Sequence, residues 1–101
     1  MKTMITEFVE IRSLETTTDE QFLAKAEVLN DFLKMQDGYV DAELLKGIEG
    51  NIWRFIFHFE SMEKVKSIGE KMRNSKEFDD FKTLIVPGSI VVTFYRRERK
   101  W

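Results

Sequence analysis

Cysteine is absent from the 101 residues, which excludes a disulfide scaffold, a thiolate metal site and a cysteine nucleophile together. Histidine occurs once, at His58, so one chain can build neither a histidine metal cluster nor a His-His acid/base pair. Positive charge is not in excess: sixteen Lys and Arg against eighteen Asp and Glu leave a formal net charge of -2. That balance, with a sequence pI near 5.5, argues against a general polyanion binder. No apolar run is long enough to span a bilayer, and Met1-Lys2-Thr3-Met4-Ile5-Thr6-Glu7 lacks the apolar core of a signal peptide. A cytoplasmic protein is therefore expected. Repeats, low-complexity stretches and linkers are missing, as are a nucleophile elbow, a Gly-rich phosphate loop and a carboxylate set with metal spacing. No metal and no cofactor are expected.

What is present reads as one globular domain over residues 1–101, with its core at about 4–97 and a basic tail at 98–101. Strand formers run from Met4 to Arg12, with Ile5, Val9 and Ile11 on one parity and Met4 and Phe8 on the other. Thr18 followed by Gln21 is a capping box, and Phe22, Ala26, Leu29 and Leu33 then mark a helical stripe that ends before Gly38. Tyr39 to Ile48 reads as a strand with Val40, Ala42, Leu44 and Ile48 on one face, and Gly50-Asn51 suits the centre of a type II′ hairpin turn. Its partner runs from Ile52 to Glu60. Ser61 caps a second helix carrying Val65, Ile68 and Met72, which breaks at Asn74-Ser75 and resumes through Phe78, Phe81 and Ile85. Pro87-Gly88 stops it, and Ile90 to Arg97 form the last strand.

The order βαββαβ is that of an α+β, ferredoxin-like sandwich, a four-stranded antiparallel sheet with two helices on one face. Two helices cover only one face of such a sheet. The other should then be polar, yet Ile52 and Ile56 share it with Arg54 and His58, and strands one and four are apolar on both parities. A face of that kind left in water exceeds the apolar patch a monomer normally shows, and a C2 homodimer is the simplest way to bury it.

Three segments carry a resemblance to a family. Asp37-Gly38-Tyr39 enters strand two, Phe59-Glu60-Ser61-Met62-Glu63 leaves strand three, and Ser75-Lys76-Glu77-Phe78-Asp79-Asp80-Phe81 lies late in the second helix. The chain resembles, over about residues 4–97, the antibiotic biosynthesis monooxygenase (ABM) domains of the dimeric α+β barrel superfamily. The resemblance implies two sheets packed face to face in a homodimer. It also implies a small cofactor-independent monooxygenase, or related enzyme, acting on an aromatic or quinol-type metabolite in an apolar pocket. Haem-degrading relatives use an Asn, a Trp and a His where this chain has Glu7, Phe59 and Lys82, and many other members carry a His at the position of Glu77. All of these differ, which disfavours haem degradation.

Among candidate site residues, His58 is the candidate catalytic group, either a titratable base lining a cavity or an interface histidine held by the partner's carboxylate, from position 43 or 7. Arg54 could bind an anionic substrate or pair with Glu43 or Asp41 across the hairpin. Glu7 sits near the start of strand one at a possible cavity mouth. Trp53, Phe55, Phe57 and Phe59 could wall an aromatic pocket between sheet and helices or form plain core. Tyr39 and Tyr95 could bring hydroxyls to it. Two further readings stand beside the enzyme. One is a non-catalytic dimeric module that binds a small ligand or serves a stress-related role. The other is an RNA-recognition module, for which Arg54 to Phe59 has the aromatic strand but lacks its glycines. Neither nucleic acid nor membrane is expected as a partner.

Overall fold

The structure, a computed structural model, describes residues 4–101, so residues 1–3 of the N-terminal reading lie outside it. The elements are β1 (Ile5–Arg12), α1 (Asp19–Lys34), β2 (Tyr39–Lys46), β3 (Ile52–Phe59), α2 (Met62–Arg73), α3 (Lys76–Lys82) and β4 (Val91–Arg96). The strands form one antiparallel sheet in the order β2-β3-β1-β4. This is the ferredoxin-like α+β arrangement, with the second helix split in two.

Local chemistry explains where the helices start. The Thr18 hydroxyl accepts a hydrogen bond from the Gln21 amide at 3.1 Å, and the Gln21 side chain accepts one from the Thr18 amide at 2.9 Å. Ser61 caps α2 by accepting from the Lys64 amide at 3.2 Å. Ser75 serves two helices at once. Its hydroxyl accepts from the Phe78 amide at 3.1 Å, capping α3, and donates to the Met72 carbonyl at 2.6 Å, closing α2. Because Ser75 is buried, Ser75→Ala leaves the Phe78 amide without its cap, while the Met72 carbonyl keeps the Ser75 backbone N–H at 3.0 Å. A loss of roughly 1–2 kcal/mol in urea unfolding is expected.

Between helices and sheet lies an aromatic core. Phe22 is fully buried and stacks on Trp53 with ring centroids 4.1 Å apart. Phe81 meets the edge of Phe22 at 5.2 Å and of Phe55 at 6.0 Å. Trp53, Phe55, Phe57 and Phe59 all point to this side, as their shared parity requires.

Two details of the sequence reading change. A β-bulge interrupts the β2–β3 register between Tyr39 and Asp41, so Tyr39, Ala42 and Leu44 face the core while Val40 is exposed. The extra residue shifts the parity on which Val40 had been grouped with Ala42. The β2–β3 hairpin also closes through five residues, 47–51, rather than a two-residue type II′ turn. Gly50 supplies the positive φ, at 74°. Ile48, expected in the strand, lies in this loop and is fully exposed.

Candidate functional site

Strand pairing decides which side chains meet. Glu7 pairs with Phe57 of β3 on one side and Phe94 of β4 on the other, and directly paired residues point to the same face. Glu7 therefore shares the helix-facing side with Ile5, Val9 and Ile11. There it borders a cavity of about 680 Å³ between sheet and helices. Val9, Ile11, Phe55, Phe57 and Phe59 form its sheet wall, Val65, Ile68 and Met72 face it from α2, and Phe78 and Phe81 close it from α3. Val92 and Phe94 line it too, although β4 is exposed along its whole length. The cavity is thus open toward the β4 edge.

In this apolar setting Glu7 is the one carboxylate on the sheet wall. Among the described residues no hydrogen bond or ion pair reaches it. Burial disfavours its charged form and pushes its pKa from 4.5 to about 7. A carboxyl group with that pKa is poised to take a proton near neutral pH, which is what a general base requires.

The other candidates sit elsewhere. His58 is on the open face of the sheet, away from the cavity, and its Nδ1 lies 2.6 Å from Asp41 Oδ1 of the same chain. The bulge places Asp41 opposite His58, so an intramolecular carboxylate takes the part expected of the partner's residue 43 or 7. Arg54, also on the open face, pairs with Glu10 at 2.9 Å instead of Glu43 or Asp41. The physical reason is strand order: β1 lies against β3, which sets Glu10 directly opposite Arg54, whereas β2 offers Leu45 there. Trp53 does not line the cavity. It is core, and its indole N–H donates to Ser13 Oγ at 3.3 Å. Tyr39 points toward α1, where its hydroxyl bonds Asn30 Oδ1 at 2.7 Å. Burial first, then the Asp41 charge, raises the Tyr39 pKa, against the lowering effect of Asn30. Tyr95 contacts Phe8 on the open face at 5.1 Å between centroids. Of the predicted site residues, the cavity brings together Glu7, Phe55 and Phe57, with Phe59 from the same stripe.

Sequence reasoning passed over Phe94 and the α2 residues Met62, Lys66, Gly69 and Arg73. The spacings of four, three and four along α2 were the available signal. Among the described residues no group of three or more His, Cys, Asp or Glu is placed to hold a metal ion. No helix among them is long and apolar enough to cross a membrane.

No protein-family model and no curated protein sequence matches the chain. Solved structures do. The cofactor-independent oxygenase SnoaB from Streptomyces nogalater superposes with a TM-score of 0.76 at 12% identity, over 97% of this chain and 96% of that one. A candidate antibiotic biosynthesis monooxygenase from Nitrosomonas europaea gives 0.76 at 10% identity, over 97% and 93% of the two chains. Another from Caulobacter crescentus gives 0.74 at 15% identity, over 93% and 89%. At these identities the likeness establishes a shared fold over nearly the whole chain, the fold that the sequence resemblance implied.

Proposed function

We propose that this protein is a small cofactor-independent oxygenase acting on an electron-rich aromatic of the phenol or quinol type. The observation that carries the reading is a carboxylate of pKa about 7 on the sheet wall, set among phenyl rings in a cavity large enough for a multi-ring ligand. The fold shared with a cofactor-independent oxygenase agrees with it.

In this reading Glu7 removes a proton from the activated ring position, and the electron-rich anion reacts with dioxygen. One oxygen atom ends on the ring carbon and the other leaves as water. The substrate supplies the four electrons and leaves as a quinone. Phe57 and Phe94 flank Glu7 and hold the ring plane against it. The apolar walls keep the anion from being quenched by bulk water. Oxygen-electrode measurements across a panel of quinols and polycyclic phenols test this. Saturable oxygen uptake with quinone formation is expected. Ligands that bind unchanged, with no oxygen consumed, would leave the alternative of a non-catalytic binding module.

The reading also has two copies joined through the open sheet face in the cytoplasm. Phe8, Ile52 and Ile56 are only half-buried there, and Leu45, Val91 and Tyr95 are exposed. A patch of this kind is what a second copy covers. Light scattering should give a mass near twice 12.0 kDa. Ile56→Lys should return it to the monomer mass, while Lys25→Ala on exposed α1 should not; an Ile56→Lys dimer would rule out this face.

A further inference from the structure

Besides its apolar residues, α2 presents Met62, Lys66, Gly69 and Arg73 to the cavity, and the spacing sets them on one side of the helix. Lys66 and Arg73 are two turns apart, about 10 Å along the axis. Many cations of this chain sit in ion pairs with carboxylates, as Lys46 does with Asp19 and Arg54 with Glu10. Among the described residues no carboxylate pairs with Lys66 or Arg73. Glu70 also borders the cavity, so this wall carries two cations against one anion, while Glu7 stands on the sheet wall.

Gly69 adds an independent observation. Glycine is a poor helix former, second only to proline, yet it stands in the middle of α2. A Cβ built on it would lie 3.2 Å from Arg73 Nη1. The guanidinium is therefore folded back over the preceding turn along the cavity wall, in space that even a methyl group would contest. A planar fork of donors there, at the exposed rim beside apolar walls and, among the described residues, without a protein acceptor, suits a carboxylate or similar oxyanion.

Resting on the reading of this cavity as a substrate site, we propose that the substrate is an aromatic acid, whose ring body lies against Phe57, Phe94 and Glu7 and whose anionic group is held at α2 by Arg73, with Lys66 adding charge. The anion sits on the wall opposite Glu7, so binding and proton removal use separate ends of one ligand.

Two dyes with the same ring body test it by fluorescence titration at low ionic strength: anionic 1-anilinonaphthalene-8-sulfonate and uncharged N-phenyl-1-naphthylamine. Arg73→Gln should weaken the sulfonate about tenfold and leave the neutral dye unchanged, since a charge-assisted hydrogen bond of ordinary strength accounts for a factor of that size. Lys66→Gln should weaken it less. Gly69→Ala should raise the melting temperature by about 4 °C while weakening the sulfonate, opposite directions that simple loss of structure does not produce. If Arg73→Gln affects both dyes equally, or neither, the aromatic-acid proposal fails while the cavity remains a binding site. If the wild-type protein binds neither dye, the reading of the cavity as a substrate site fails with it.

Discussion

Glu7→Gln is expected to lower kcat for oxygen uptake by roughly 10²- to 10⁴-fold, the range that removal of a positioned general base produces. Affinity should stay close to that of the native protein, because Gln keeps the size and polarity of the side chain and loses only its basicity. The pH profile provides the sharper check. The base must be ionised to act, so native activity should climb as pH rises through about 7, and the residual activity of the variant should not follow that curve. Stability should move the opposite way. Glu7 holds its proton more tightly folded than unfolded, so between pH 4.5 and about 7 the native state binds the extra proton. Its contribution to stability is full below 4.5 and is lost as pH rises through about 7. A displacement of that size corresponds to about 3 kcal/mol. Glu7→Gln should therefore be more stable than the native protein at pH 8, with the gap closing toward pH 4. Unchanged kcat in the variant would end the general-base reading, and parallel stability curves would show that Glu7 is not desolvated.

Phe22→Ala is expected to remove about 3–5 kcal/mol of folding stability, measured by urea unfolding. Phe22 is completely buried and joins three layers of contact: Trp53 stacked on one side, the Phe81 edge on another, and Phe55 beyond at 6.5 Å. Truncation leaves a void bordered by three rings on two different elements, β3 and α3, which cannot all close in together. Set against a total of about 5–15 kcal/mol for a domain of this kind, the loss should bring the protein near its unfolding midpoint at modest temperature. Phe94→Ala is the contrast. That ring is 43% exposed at the cavity rim, so its truncation should cost little stability and act on ligand affinity. A loss under about 1 kcal/mol for Phe22→Ala would mean that the aromatic stack is not the centre of the core.

Much of this was already in the order of residues. The capping box at Thr18 and the caps at Ser61 and Ser75 are local, each needing only three or four residues of sequence, and they set the starts of the three helices described. The alternation of Trp53, Phe55, Phe57 and Phe59 has period two, so the buried side of β3 followed directly. Glu7 was legible in the same way, as the polar member of the parity carrying Ile5, Val9 and Ile11. What sequence could not supply was its environment, since the phenyl groups beside it come from residues fifty and eighty-seven positions away.

Pairing partners across the sheet depend on strand order and register, and these are set by the whole chain. Arg54 meets Glu10 because β1 is central, and His58 meets Asp41 because a single extra residue at Val40 shifts the register of β2. One inserted residue reverses the face of a side chain without changing composition or period elsewhere. The sequence by itself determined the elements, their order and their apolar faces, all properties of short windows. Only the tertiary structure decided that Glu7 is desolvated, that His58 faces away from the cavity, and that Arg73 lies over Gly69 along its wall. Desolvation and encounter are made by residues far apart in the chain, and no local pattern records them.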